Sequence, residues 1–239
     1  MKKLALLSII VLGFFGGHAQ KTIYDANAQV RSLKGFHAIQ VSGGIDLYLS
    51  TGEEAVAVSA KETADRDRIK TEVENGVLKI YYDWKDGVNF LKGVNRQLKA
   101  YVSYKTLNRL SASGGSDVVV DGTINAGKLT LSISGGSDFK GKIEAQEVTV
   151  DQSGGSDINI SGRSGKVTIN ASGGSDFNGY GLEVETATVG ASGGSDVEIT
   201  VSKQLTANAS GGSDVTYKGN ASAITSNKSG GSSIRKSGK

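Results

Sequence analysis

The residues best placed to do chemistry in this sequence are aspartates that recur at a near-constant spacing. Each aspartate closes the pentapeptide Ser-Gly-Gly-Ser-Asp, and successive copies begin 18 to 21 residues apart. The six aspartates are Asp117, Asp138, Asp157, Asp176, Asp196 and Asp214. If the repeats stack ~4.8 Å apart, neighbouring carboxylates repel each other by about 0.9 kcal/mol in water. The aspartates therefore need hydrogen-bond donors or a cation.

Two explanations for the aspartate column stay open at this point. Each carboxylate can accept hydrogen bonds from backbone N–H groups at its own corner, as in an Asx-type turn, and this explanation needs no cofactor. Alternatively, the aspartates bind calcium, a hard ion that takes about six to eight oxygen ligands. Glycine-rich calcium β-rolls share the Gly-Gly and Asp elements, but their repeat has only about nine residues. We expect no bound metal or other cofactor, and the six aspartates are the calcium candidates.

A nucleophile pattern also occurs, but its context argues against catalysis. Gly190-Ala191-Ser192-Gly193-Gly194 fits the G-x-S-x-G elbow of hydrolases. That elbow requires a strand–turn–helix context and a histidine later in the chain, whereas His37 precedes Ser192. Paired carboxylates of a polysaccharide-cleaving enzyme remain an alternative. A ladder of equivalent aspartates, however, lacks the split pKa values that an acid and its partner need. We therefore predict no catalytic residue.

The segments between the corners predict the elements that position these aspartates. An apolar residue follows each corner directly, and an alternating strand with a central threonine precedes the next corner. The threonines are Thr130, Thr149, Thr168, Thr188, Thr206 and Thr225. A period of two with β-branched residues is typical of strands, and repeats this short bury their apolar side only when they stack. Crossovers between parallel strands are right-handed in nearly all cases. The sequence therefore predicts an all-β, right-handed parallel β-helix (β-solenoid) with coils of about 19 residues.

The chain divides into five predicted segments. Residues 1–19 have a basic start, a short apolar run and small residues before Gln20, which indicates a signal peptide. Residues 20–35 form a polar lead-in, and residues 36–110 form an irregular first part of the β-helix. Residues 111–228 carry the regular repeat. Residues 229–239 hold a last, degenerate copy followed by Arg and Lys residues, which we interpret as a basic cap over the final coil.

Composition excludes several classes of protein. The chain has no cysteine, so disulfides, Cys-based zinc sites, iron–sulfur clusters and thiol nucleophiles are excluded. Removal of the leader lowers the formal net charge from +3 to +1. A net charge this small does not indicate binding to nucleic acid. No apolar run after the leader is long enough to span a bilayer. We expect an exported protein in the bacterial periplasm, on the outer-membrane surface or in the medium.

Two further motifs accompany the serial Ser-Gly-Gly-Ser-Asp corners. They are the opening Val41-Ser42-Gly43-Gly44-Ile45-Asp46-Leu47 and the strand Gly76-Val77-Leu78-Lys79-Ile80. On these residues the chain resembles, over about residues 36–225, the head GIN domain family, whose members are described as autotransporter adhesins. The resemblance implies a β-helix similar to that of pectin lyases, without their catalytic residues, and a role in adhesion. No functional residue is carried over from the family.

One irregular loop is the remaining candidate for partner binding. Residues 83–97 interrupt the strand pattern and carry Trp84 and Phe90, which can stack on a sugar or on a partner protein. The alternative is that both aromatics cover the end of the solenoid core. The function we expect is that of a non-enzymatic, adhesin-like binding protein or surface scaffold, with a surface glycan or an envelope or host protein as partner. The alternatives are a polysaccharide-cleaving lyase or hydrolase and a structural envelope protein without a specific ligand. A homo-oligomer is compatible with open solenoid ends.

Overall fold

The computed structural model describes residues 25–84 and 95–238, so the predicted signal peptide and Phe90 lie outside the described residues. The described part is a nearly all-β solenoid of about 7 turns with coils of ~19 residues, and only 2% of it is helical. The predicted fold class is thereby confirmed. The described residues include one short helix, α1 (Thr63–Arg66). No helix within the described ranges is long and apolar enough to cross a membrane.

The strands of the first part are β1 (Gln29–Arg31), β2 (Ala38–Ser42), β3 (Asp46–Thr51), β4 (Ala55–Ser59), β5 (Ile69–Glu74), β6 (Val77–Tyr82), β7 (Lys99–Tyr104) and β8 (Arg109–Ser113). The strands of the regular repeat are β9 (Val118–Ser134), β10 (Asp138–Ser153), β11 (Asp157–Ala171), β12 (Asp176–Ala191) and β13 (Asp196–Ala209). The chain ends with β14 (Asp214–Lys218), β15 (Ala223–Lys228) and β16 (Ser233–Lys236).

The regular repeat stacks parallel and in register from β9 to β13. Each of these strands runs almost the whole way from one corner to the next, with small register shifts where the coil bends. Inward-pointing residues of successive coils form columns that are fully buried. Three such columns on the coil side that precedes each corner are Leu129–Val148–Val167–Ala187–Leu205, Leu131–Val150–Ile169–Val189–Ala207 and Ile133–Gln152–Ala171–Ala191–Ala209. A single narrow core therefore runs along the stack.

The corners explain why the glycines and one serine recur in every repeat. The first glycine of each pair has positive φ, and a side chain there would meet the corner of the coil below. A Cβ atom at Gly193 (φ 76), for example, would lie 2.9 Å from the carbonyl oxygen of Gly173. The serine before each aspartate is 0% exposed. In the last full corner, Ser213 Oγ lies 2.9 Å from the carbonyl oxygen of Ser210 and 3.1 Å from that of Ala191.

The N-terminal part is built in an order that the strand pattern did not predict. The coil formed by β2 and β3 lies between the coil of β6 and β7 on one side and that of β8 and β9 on the other. Beyond β6 and β7, the antiparallel strands β5 and β4 pair with them, and β1 from the predicted lead-in pairs with β4. Antiparallel strands therefore cover the N-terminal end of the parallel stack.

The C-terminal end is covered on one side only. Residues of β14 and β15 form the last coil, and β16 adds one further rung on β14. All six residues of β15 are exposed, including Ile224 at 45%. Arg235 of β16 lies 3.9 Å from Asp214. The segment predicted as a basic cap therefore places a cation beside the end of the aspartate column.

Burial predicts which substitutions destabilise the solenoid most. Phe139 and Phe177 are each 1% exposed, so truncation to alanine should lower the free energy of unfolding by about 3–5 kcal/mol. Ser116→Ala removes the oxygen that accepts a 3.1 Å hydrogen bond from Ile45 N, and it should cost about 1–2 kcal/mol. Chemical denaturation of the three variants measures the difference. Equal losses in the phenylalanine and serine variants would contradict this ranking.

Candidate binding surface

The six predicted aspartates form one continuous column on the surface of the solenoid. Asp138, Asp157, Asp176, Asp196 and Asp214 pair directly in register, and Asp117 and Asp46 continue the column toward the N terminus. All of them are exposed except Asp46 and Asp214, which are half-buried. Lys99 pairs with Asp46 at one end of the column, and Arg235 lies beside Asp214 at the other. The column thus holds seven carboxylates between two cations.

Backbone hydrogen bonds account for part of this arrangement. Asp138 N donates to Asp117 Oδ1 at 3.3 Å, and Asp157 N donates to Asp138 Oδ1 at 3.2 Å. Each of these carboxylates thus accepts a hydrogen bond from an N–H group of the next coil. The sequence analysis expected the donor to lie in the carboxylate's own corner. Further along the column, burial raises the pKa of Asp176, and the charges of Asp157 and Asp196 raise it further. Like-charge repulsion therefore persists in the middle of the column.

The described residues do not assemble a recognisable metal centre. Within residues 25–84 and 95–238, no three carboxylate or imidazole side chains form a group that could hold a metal ion. Each coil contributes one aspartate to the column, and the next aspartate lies one coil away. This arrangement supplies few carboxylate oxygens at any one point, whereas a calcium ion takes about six to eight oxygen ligands. The expectation that no metal is bound stays a prediction to be tested, with calcium at the six aspartates as its alternative.

The threonine face is a second repetitive surface, defined by the column Thr130, Thr149, Thr168, Thr188, Thr206 and Thr225. These residues pair in register, and all are half-buried except the exposed Thr225. Two positions after each threonine lies a second outward column, which reads Ser132, Asp151, Asn170, Gly190, Asn208 and Asn227. The second column is mostly small and polar, so this face presents hydroxyl and amide groups in parallel rows.

A trough of about 450 Å³ lies where the threonine face meets the corners. It spans four coils, and its lining is small and polar apart from alanines at its floor and one lysine. The lining residues are Asn170, Ala171, Ser172, Gly190, Ala191, Ser192, Asn208, Ala209, Ser210, Asn227, Lys228 and Ser229. The sequence analysis did not predict this trough, although the second outward column can be read from the aligned repeats.

The aromatic candidate Trp84 is part of the N-terminal end of the solenoid. Its ring packs edge-on against Tyr82 with centroids 4.6 Å apart, and the Arg96 guanidinium lies 5.5 Å from its centre. Arg96 in turn pairs with Asp65 at 3.3 Å. Trp84 is half-buried against the core, so most of its ring contacts serve packing. The structure describes no position for Phe90.

The structure does not bring together the residues of the hydrolase pattern. Ser192 lies half-buried at a corner of the regular repeat and lines the trough, with its amide bonded to Ser195 Oγ. His37 is exposed next to β2, and β8 to β11 separate the two residues along the stack. Ser192 therefore has a structural role at its corner that the equivalent serines share.

Comparison with known proteins identifies a matching family and several solved structures of the same fold. A family model described as "Putative auto-transporter adhesin, head GIN domain" matches residues 35–221. A "putative adhesin" of Bacteroides fragilis has a TM-score of 0.79 at 18% identity, over 88% of this chain and 96% of its own. A "putative adhesin" of Parabacteroides distasonis has a TM-score of 0.67 at 19% identity, over 88% and 96%. A "putative lipid binding protein" of the same species has a TM-score of 0.64 at 19% identity, over 89% and 97%. No curated protein matches.

Repulsion in the aspartate column predicts a stabilising substitution. Because the folded-state pKa of Asp176 is raised, its protonated form stabilises the fold below pH 3.8, and this contribution is lost as the pH rises through the raised value. Asp176→Asn should therefore raise the free energy of unfolding at pH 7 by about 0.5 kcal/mol, a small value because the group is exposed. The gain should disappear at pH 3 and shrink in high salt.

Denaturation curves at pH 3 and pH 7 test the Asp176 prediction. The matched control is Glu144→Gln, which removes an exposed carboxylate that lies outside the column, on β10, two coils from Asp176. An equal gain from both variants at pH 7 would show that net charge, and not the column, is responsible.

Metal removal tests the calcium alternative directly. Because backbone N–H groups already bind part of the column, we expect the melting temperature to be the same in EDTA and in millimolar calcium. Differential scanning calorimetry of the full protein measures it, with magnesium as the control ion. A rise of many degrees in calcium alone would show that the protein binds calcium and would contradict this expectation.

Proposed function

Because the chain belongs to the head GIN domain family, we propose that it is an exported, adhesin-like protein that binds a cell-surface partner without a catalytic step. The adhesin description of the family supports this proposal. The solved relatives support only the fold, since they are less than 25% identical to the chain. Export agrees with the signal peptide predicted for residues 1–19.

The observation that carries the proposal is the threonine face with its trough. Parallel, in-register stacking places the same polar group on successive coils, so the face repeats one set of donors and acceptors along the solenoid axis. Repetition at ~4.8 Å lets several weak contacts act together on an extended or multivalent partner. A face of this kind suits recognition of a surface better than chemistry at one point.

The enzymatic alternative makes a different demand on the structure. Cleavage of a polysaccharide needs an acid and a second carboxylate whose surroundings differ, so that one is protonated and the other ionised. The aspartate column offers one carboxylate per coil at equivalent positions. The binding role therefore agrees better with these residues, and a release assay decides between the two.

The proposal is tested by binding to intact cells. The full exported protein, fluorescently labelled, is applied to bacterial and epithelial cells, and bound protein is measured by flow cytometry. The double variant Thr168→Lys/Thr188→Lys places two long cationic side chains on the threonine face and should lower binding at least about fivefold, which corresponds to about 1 kcal/mol. A reducing-sugar assay on a panel of polysaccharides runs beside it and should show no product.

The matched control is Asn159→Lys/Asn178→Lys. These two asparagines are exposed and lie on the same two coils as the threonines, beside the aspartate column. The control adds the same charge to another face, and its binding should stay close to that of the unaltered protein. Saturable binding to no cell type, or equal losses in both double variants, would contradict the proposal, and sugar release would favour the enzyme.

A further inference from the structure

The outward column beside the threonines forms an amide ladder with a definite direction. Asn170 Nδ2 donates to Asp151 Oδ1 at 2.9 Å, and Asn227 Nδ2 donates to Asn208 Oδ1 at 2.9 Å. In both pairs the amide nitrogen faces the preceding coil. Each asparagine therefore presents its oxygen to the coil that follows, and a continuous ladder would need an amide on every coil.

The ladder is interrupted at Gly190, which pairs in register with Asn170 on one side and Asn208 on the other. Asn170 Oδ1 lies next to the position that a side chain at residue 190 would occupy, since it would be 3.6 Å from a Cβ atom added to Gly190. By the direction of the ladder, Asn208 Nδ2 faces the same position from the other side. Asn170 and Asn208 are exposed, and the hydrogen bonds that their side chains make within the described residues run to Asp151 and from Asn227, which leaves Asn170 Oδ1 and Asn208 Nδ2 open to solvent or a ligand. The gap thus has an acceptor at one edge and a donor at the other.

We propose that this gap is a subsite for the acetamido group of an N-acetylated amino sugar in a glycan. The missing rung requires one group with an N–H on one side and a C=O on the other, which is what a secondary amide provides. The acetamido N–H would donate to Asn170 Oδ1, and its carbonyl would accept from Asn208 Nδ2. This inference rests on the proposed function, since it names the partner class of the threonine face.

The surroundings of the gap favour a sugar as the source of that amide. Gly190 lies in the trough, whose lining includes the half-buried serines Ser172, Ser192 and Ser210 beside the ladder. Hydroxyl groups donate and accept, so they complement the hydroxyls of a sugar ring, and Lys228 is the only charged side chain among the lining residues. One vacant rung admits one amide. An extended peptide presents an amide at every residue and would leave the others unmatched in the trough.

The central variant is Gly190→Asn, which supplies the missing amide from the protein itself. The backbone there is not in the left-handed region, and an added Cβ would make only ordinary contacts, at 3.6 and 3.8 Å. The variant should therefore fold, with a melting temperature equal to or above that of the unaltered protein. The matched control is Gly127→Asn, because Gly127 is exposed, has no atom near an added Cβ, and lies outside the trough.

A second variant separates the two hydrogen bonds of the gap. Asn208→Asp keeps an oxygen that accepts from Asn227 and removes the donor that faces Gly190. It should weaken binding while the rest of the ladder persists. Thermal denaturation and circular dichroism of all three variants establish that each is folded before binding is measured.

The probes are N,N′,N″-triacetylchitotriose (called chitotriose below), cellotriose and a short N-acetylated, C-amidated trialanine peptide. Binding of each probe to the full exported protein is measured by isothermal titration calorimetry. Chitotriose differs from cellotriose by acetamido groups in place of hydroxyls, so it should bind at least about tenfold more tightly, or about 1.4 kcal/mol. Gly190→Asn and Asn208→Asp should remove this preference, and Gly127→Asn should keep it. Cell binding is measured in parallel.

The outcomes distinguish this subsite from the proposed function. Equal binding of chitotriose and cellotriose, no chitotriose binding, equal binding of the peptide, or a preference that survives Gly190→Asn would each overturn the subsite. If cell binding still depends on the threonine face, the proposed function stands in all four cases. Absence of cell binding together with an intact chitotriose preference would overturn the adhesin role and leave the subsite.

Discussion

The structure depends on one constraint, the close parallel stacking of each corner on the corner of the coil below. A Cβ atom at the first glycine of the later corners would come within about 3 Å of the backbone beneath it, as at Gly193 and Gly211. The serine before the aspartate turns inward, where its hydroxyl donates to a backbone carbonyl group of the preceding coil, as Ser195 does to Ala171 and Ser213 does to Ala191. These contacts hold the register, and the register aligns every other position of the coil.

Alignment has opposite effects on apolar and charged residues. Inside the solenoid it places Val150 on Ile169 and Val189, which forms a dry, continuous core. On the surface it places Asp176 between Asp157 and Asp196, where burial and the charges of these two neighbours raise the pKa of Asp176. The column persists because backbone N–H groups bind some of its members and because cations lie at its ends. The corner motif is therefore a structural unit, and its aspartate is not by itself evidence of a metal or an active centre.

The proposed subsite at Gly190 lies at a position where the repeat varies. Thr149 and its equivalents are uniform, whereas the column two residues later changes from Ser132 to Asp151, Asn170 and Gly190. Variation on a fixed backbone lets one coil differ from its neighbours in a single side chain, and it gives a repetitive face a distinct local site. The absence of an amide at Gly190 is such a difference. It can be recognised only by comparison with Asn170 and Asn208 on the two neighbouring coils.

The sequence by itself determined the solenoid, its coil length, the inward columns and the alignment of the aspartates. It could do so because a repeat of constant length leaves few ways to bury alternating apolar residues. Tertiary structure decided the order of the first coils, since strands such as β2 and β6 have the same local pattern and only packing selects their neighbours. It also decided that Trp84 packs against Tyr82 and Arg96 at the N-terminal end. The trough and the direction of the asparagine ladder likewise depend on hydrogen bonds between coils about 19 residues apart, which local sequence does not encode.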